Sequence, residues 1–300
     1  MTTVKVFAPA KVNLTLHITG QRDDGYHLID SLVAFATVGD HLTLQTADRW
    51  SLTVDGAEGQ GVPQDATNLA LQAAALVCGG ADMRLEKNLP AASGIGGGSA
   101  DAAAALRAAL MLNPDFADVD WEAPPLDMVL PLAEKILALG ADIPMCLLSQ
   151  PARVRGIGQD IAPVDLPRLP VLLVNPRVPV PTGAVFQALA SRENPPMSDM
   201  PIEPTAHALI EWLHAQRNDL ETPAFEIAPA IRVVLDVLRA ANGCQIARMS
   251  GSGATCFGAF DTEASAEAAE RMIGDAYPDW WVALGHLGDQ SQLAAPQRIN

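Results

Sequence analysis

Between positions 90 and 101 the chain reads Pro90-Ala91-Ala92-Ser93-Gly94-Ile95-Gly96-Gly97-Gly98-Ser99-Ala100-Asp101, then passes directly into Ala102-Ala103-Ala104-Ala105-Leu106. Four glycines crowd positions 94–98. Glycine adopts positive φ and lets backbone approach a ligand without a side chain in the way. Consecutive amides in such a loop can converge on an anion. The helix start that follows adds roughly half a positive charge and several unpaired N–H donors. Loop plus helix start is therefore a place for phosphate. A flexible Gly/Ser linker is the alternative, although linkers rarely open an alanine-rich helix, and this stretch follows an alternating segment, Met83–Lys87. No lysine follows the glycines as in a Walker A loop, and Ser99 stands where a GxGxxG fingerprint needs its last glycine. The cation for a phosphate must come from elsewhere in the chain.

Lysines are scarce: Lys5, Lys11, Lys87 and Lys135 are all of them. Lys11 opens an amphipathic segment with Asn13 on the same face, a pair able to address a hydroxyl or phosphate oxygen; a solvated edge lysine is the alternative. Asp142, in Gly140-Ala141-Asp142-Ile143-Pro144, reads either as a turn aspartate or as a rigidly held carboxylate placed to take a proton from an alcohol. Ser250-Gly251-Ser252-Gly253 is either a tight hairpin or a second wall of a phosphate pocket. Gly25-Tyr26-His27 is either a surface turn or a group that stacks on and hydrogen-bonds to a planar base.

The elements that must position these residues are of mixed type. Val12–Thr19 alternates strictly and reads as a strand, followed by a turn at 21–25 and strands over Leu32–Ala36, Leu42–Gln45 and Leu52–Val54. Thr67-Asn68 offers a cap for a helix through Val77. The helix after the glycine loop ends at Asn113-Pro114-Asp115, residues 117–130 read as an irregular connection, and Pro131 starts a helix that stops at Gly140. Met145–Leu148 reads as an apolar strand and Val171–Val174 as a buried one. Beyond it the pattern predicts helices near 182–190, 205–216, 229–241 and 262–275, strands near 245–249, 255–260 and 280–286, and a frayed tail over 290–300. The prolines around 161–170 mark a domain boundary. This order suggests an α+β fold.

The chain has 300 residues, with 35 acidic and 19 Lys or Arg side chains and a net charge of −16. That balance argues against nucleic acid and against a polybasic membrane-surface mode. Cys78, Cys146, Cys244 and Cys256 form no C-x-x-C pair, so neither a zinc site nor a redox dithiol is indicated. No signal-peptide pattern and no run of 18 uninterrupted apolar residues occurs, which leads to an expected cytoplasmic location and no membrane partner. The sequence leaves oligomeric state open; a homodimer is compatible with it.

Taken together, Pro9-Ala10-Lys11-Val12-Asn13-Leu14, the 90–101 loop and Ser250-Gly251-Ser252-Gly253 resemble the three signature motifs of the GHMP small-molecule kinases. Asp24-Gly25-Tyr26-His27, Gly140–Pro144 and Arg217-Asn218-Asp219-Leu220 resemble the branch that acts on a cytidine diphosphate derivative. The islands keep the family's order from position 9 to 255. The resemblance implies an α+β, two-domain GHMP kinase fold. Residues 1–166 would form an N-terminal ATP-binding domain like the second domain of ribosomal protein S5. Residues 167–300 would form a ferredoxin-like C-terminal domain, with the active site between the two.

It also implies ATP-dependent phosphorylation of the tertiary 2-hydroxyl of that derivative, a step of the non-mevalonate isoprenoid pathway. By motif, Asp142 would be the catalytic base, and Lys11 would keep it ionised and orient the hydroxyl. Pro90, Ala91, Ala92, Ser93, Gly94, Ile95, Gly96, Gly97, Gly98 and Ser99 would form the ATP loop. Asn13, Tyr26 and His27 would face the acceptor, with Phe186 a second aromatic wall for the cytosine. Mg²⁺ is expected with ATP, bridging its phosphates without a dedicated protein cage. Lys87 and the segment 155–158 are candidates for the adenine pocket. Ala100, where a second serine is often found, and Ser93 and Ile95 depart from the family loop without removing a charge or a glycine. A GHMP kinase for homoserine, mevalonate or a sugar is the competing enzyme reading. A nucleotide-binding regulator needs no base and is disfavoured by Lys11 and Asp142; a dinucleotide oxidoreductase is disfavoured by the broken fingerprint.

Overall fold

The computed structural model describes residues 2–116, 119 and 131–299. The expected irregular connection at 117–130 lies outside the described residues apart from Val119. The first half runs β1 (Thr3–Asn13), β2 (His17–Gln21), β3 (His27–Thr46), β4 (Ser51–Asp55), α1 (Leu69–Ala74), β5 (Ala81–Glu86), α2 (Gly97–Leu112), α3 (Ala133–Leu139), α4 (Ile143–Leu148), β6 (Ala152–Gly156) and β7 (Asp160–Pro163). The second half continues with β8 (Leu169–Asn175), α5 (Thr182–Gln187), α6 (Ala206–His214), α7 (Glu221–Ile227), α8 (Ala230–Ala240), β9 (Cys244–Met249), β10 (Cys256–Phe260), α9 (Glu263–Ala276), β11 (Trp281–Gly288) and β12 (Gln297–Ile299).

All these strands join one sheet whose main path is β12-β1-β3-β11-β8-β10-β9. The 20-residue β3 is its hub, pairing with β1, β2, β5, β6 and β11. The two separate strands expected at 32–36 and 42–45 are this one strand. Gly39 does not interrupt it, because a side chain there would collide with the Ala8 carbonyl and the Phe7 ring; the glycine allows β1 to lie close. Within the second half, β8 through β11 follow a βαββαβ order, with β11 and β8 adjacent and then β10 and β9; this is the ferredoxin-like arrangement.

Helix α2 is buried on nearly every side, from Ala100 through Met111. Its alanines let it sit close to β1, α1 and α4 in the first core cluster. A helix apolar all round belongs inside a layered domain. The second half has its own cluster under α8 and α9, while a third cluster runs between β1, β3, β8 and α6 and joins the halves.

Several expectations change. Met145–Leu148 is helix α4, not a strand: four apolar residues have no diagnostic period, and Pro144 sits in the first turn, where proline suits a helix. The strand expected over Val12–Thr19 is split. The Leu14 N–H still reaches the Leu32 carbonyl, but Leu16 turns to pair with residues 217–219. Helix α7 contains Pro223 in its first turn and was not expected. The tail is not frayed: β12 pairs antiparallel with β1, and Ala294 is buried.

Candidate active site

The site begins with an irregularity in β1. The register with β3 shifts between Pro9 and Lys11. Proline has no N–H to give the ladder, and bulges beside functional sites re-aim a side chain. Here the Lys11 N–H leaves the sheet and donates to the Ile95 carbonyl at 2.9 Å. Its ammonium donates to Asn13 Oδ1 at 2.7 Å and lies 3.2 Å from Asp142 Oδ2. Lys11 is only 5% exposed, whereas the Asp142 side chain is 39% exposed. The buried cation is thus paired with a carboxylate that still meets solvent.

Asp142 stands at the start of α4, and α4 is anchored at its other end. The buried Arg107 of α2 donates to the carbonyls of Cys146 and Leu147 and to Ser149 Oγ, at 2.7–2.9 Å. A cation suits the last carbonyls of a helix. Burial lowers the Arg107 guanidinium to about 10, so it stays charged at neutral pH. Since α2 also begins at the glycine loop, one buried side chain ties the carboxylate's helix to the loop's helix.

Gly96 caps α2 with φ +67° and no side-chain cap bond. The Gly97, Gly98 and Ser99 amides at this terminus are therefore left for a ligand. A Cβ on Gly96 would stand 3.2 Å from Lys11 Cε, and one on Gly94 (φ +78°) would run into the Ser250 carbonyl at 2.5 Å. The two glycine loops face each other. Ser250 Oγ accepts from the Asn13 N–H at 3.0 Å and donates to the Gly94 carbonyl at 2.9 Å, joining β1 to both loops. Asn218 Nδ2 donates to the Met249 and Gly251 carbonyls and fixes the second loop from behind.

These groups open on one cavity of about 940 Å³. Lys11, Asn13, Tyr26, His27, Ala92, Ser93, Gly94, Gly96, Gly97, Gly98, Ser99, Asp142 and Phe186 all line it. Pro90, Ala91 and Ile95 do not; Pro90 and Ile95 are buried and shape the loop from behind. His27 and Phe186 are in contact, with ring centroids 4.9 Å apart. Burial, then the Arg192 charge, lowers the His27 pKa, and its Nε2 is buried without a partner. Tyr26 is 61% exposed at the rim.

Lys87 is not at the cavity. Its ammonium is buried between Asp40 and Asp101, 2.6 Å from Asp101 Oδ2. Of the 155–158 segment, only Ile157 lines the cavity, while Arg155 turns to Asp30. Among the described residues no group of three or more His, Cys, Asp or Glu could hold a metal ion.

Residues 64–150 match the family model for the GHMP kinases N terminal domain, and 204–279 match that for the GHMP kinases C terminal domain. The 4-diphosphocytidyl-2-C-methyl-D-erythritol kinase of Roseobacter denitrificans is 52% identical over 98% of this chain and 97% of its own length. This chain belongs to the 4-diphosphocytidyl-2-C-methyl-D-erythritol kinase family. The kinase of the same name from Cereibacter sphaeroides is 50% identical over 94% of this chain. A crystal structure of 4-(cytidine 5'-diphospho)-2C-methyl-D-erythritol kinase superposes with a TM-score of 0.74 at 34% identity, covering 95% of this chain and 99% of that one. Homoserine kinase from Cytophaga hutchinsonii, at 20% identity and TM-score 0.61, shares the GHMP fold.

In this member of the kinase family Ser31, Thr182 and Arg192 carry no site signature in the sequence, whereas Ser250 and Ser252 belong to the loop expected as a second pocket wall. Ser31 Oγ accepts from Asn13 Nδ2 and holds that side chain in place. The latch from Ser250 to residues 13 and 94 has no local signature. Thr182 and Ser252 hydroxyls meet at 2.8 Å across the cavity wall. Arg192 lines the cavity from the connection after α5; an arginine in a polar, proline-rich loop carries no sign of where it points.

Proposed function

We propose that this kinase transfers the γ-phosphoryl group of ATP to the 2-hydroxyl of 4-diphosphocytidyl-2-C-methyl-D-erythritol, giving the 2-phosphate and ADP. The observation that carries the reading is the meeting of Lys11 and Asp142 at the glycine cradle, in the same cavity as Tyr26, His27 and Phe186. A phosphate cradle, a carboxylate and a base-sized aromatic wall in one space are what such a transfer requires.

The chemistry rests on positioning. Phosphoryl transfer passes through a loose transition state, so the protein supplies alignment and charge more than covalent steps. The amides of Gly97, Gly98 and Ser99 hold the ATP phosphates. Asp142 accepts the proton of the attacking hydroxyl, and the Lys11 ammonium, fixed by Asn13, faces the same oxygen. The Ser99 hydroxyl, which lines the cavity beside these amides, is the protein group that would hold the Mg²⁺ accompanying ATP. When bound, that ion neutralises phosphate charge. His27 and Phe186 already touch, so the cytosine stacks against their outer face and Tyr26 closes over it. The four free thiols suit a reducing compartment, consistent with work in the cytoplasm.

The test is product formation. The purified protein is incubated with ATP, MgCl₂ and, in separate reactions, the cytidine diphosphate acceptor, homoserine and mevalonate, followed by ³¹P NMR. A new phosphomonoester with the first acceptor alone is the expected result. Phosphorylation of homoserine or mevalonate instead, or no product, overturns the assignment.

A further inference from the structure

Arg192 lines the cavity but belongs to neither the glycine cradle, the Lys11–Asp142 pair nor the aromatic wall. Among the described lining residues only Lys11 and Arg192 carry a permanent positive charge, against Asp24 and Asp142. Lys11 is already committed to Asn13 and Asp142. The Arg192 side chain is exposed and makes no ion pair or side-chain hydrogen bond among the described residues.

The backbone just beyond it is nevertheless held. Asn194 donates twice to the Ile18 carbonyl, from N–H at 3.1 Å and from Nδ2 at 3.0 Å. The Pro195 carbonyl accepts from Arg217 Nη2 at 2.7 Å, and the Met197 N–H donates to Asp30 Oδ2 at 3.0 Å. These tethers fasten the connection between α5 and α6 to β2, β3 and the 217–219 segment. A free guanidinium is thus offered from a fixed backbone on the wall that carries His27 and Phe186.

The two substrates differ in what else neutralises them. The ATP phosphates have the α2 amides and their metal ion; the acceptor's diphosphate has neither. In a chain of net charge −16, an unmatched diphosphate next to Asp24 and Asp142 would be repelled. We propose that Arg192 is a specificity-determining residue that binds the diphosphate of the cytidine-bearing acceptor. A guanidinium grips phosphate oxygens through paired N–H donors, and its weak hydration makes it better suited to this than lysine. This inference rests on the acceptor reading above.

The experiment compares wild type with Arg192→Ala and Arg192→Lys, measuring KM for each substrate and competitive inhibition by CDP and by cytidine. Arg192→Ala is expected to raise KM for the acceptor roughly 10- to 100-fold, with KM for ATP within about twofold. CDP inhibition should weaken by a similar factor and cytidine inhibition stay unchanged, because cytidine has no phosphate. Arg192→Lys should recover part of the loss. An unchanged acceptor KM, an equal rise in KM for ATP, or equal weakening of cytidine and CDP overturns the assignment of Arg192 to the diphosphate. A wild type inert toward the acceptor overturns the functional reading and this inference with it; an active wild type with an indifferent Arg192→Ala overturns this inference alone.

Discussion

Asp142 and Lys11 stand 131 positions apart in the chain, and their side chains meet at 3.2 Å. Replacing Asp142 by Asn keeps the shape and removes the proposed proton acceptor. We expect Asp142→Asn to lose about 10²- to 10⁴-fold in kcat while its melting temperature stays near wild type; an active, well-folded variant would remove Asp142 from the proton transfer. Tyr26 is exposed and packs against no core, so Tyr26→Ala should fold normally. It should raise KM for the acceptor more than KM for ATP, and equal increases in steady-state kinetics would argue against a place over the cytosine. Much of this scale was legible in the sequence. The glycine cluster ahead of a helix carries a local chemical signature, while Lys11 and Asp142 read locally as either edge or turn residues and gain their roles from the motif resemblance. The latch from Ser250 to Gly94 carries no such signature, because its partner lies 156 positions away and a serine in a small-residue loop looks the same wherever it points.

At the scale of elements, α2 and α4 act as one part. Arg107 fixes the end of α4 that lies away from the site, so that the helix start bearing Asp142 is held against the start of α2. Arg107→Met should leave the last carbonyls of α4 unpaired and destabilise the fold by about 2–4 kcal/mol in urea titrations. It should also lower kcat although it touches no substrate; a stable variant with full turnover would show that α4 needs no such tie. Sequence patterns located most helices and strands of this frame to within a few residues. They failed where length or partner decides. Met145–Leu148 is too short for periodicity to tell strand from helix, and Glu221–Ile227 hides its helix behind Pro223. The turn of Leu16 toward residues 217–219 depends on a segment from the other half of the chain.

Across the whole molecule, the Lys87–Asp40–Asp101 cluster couples stability to pH. Asp40 Oδ1 accepts from the N–H groups of Asn88 and Leu89 at 2.6 and 2.8 Å. The Asp101 carboxyl is raised from 3.8 to about 8, mainly by burial and further by Asp40, with the Lys87 charge opposing. An acid whose pKa is higher folded than unfolded binds its proton more tightly in the fold. Its contribution is therefore full below about pH 4 and is lost as pH rises toward 8. The melting temperature of wild type should fall between pH 6 and 9 by more than that of Asp101→Asn, which keeps a hydrogen-bonding group without the charge; parallel curves in thermal melts would mean that Asp101 is ionised throughout.

The edge of β1 is completed by β12, through Thr3 and Ile299, Val4 and Arg298, and Lys5 and Gln297. During translation, the strand that bears Lys11 therefore leaves the ribosome with an open hydrogen-bonding edge, and its cover is synthesised only after everything between them. The nascent chain must guard that edge against pairing with other polypeptides until β12 arrives.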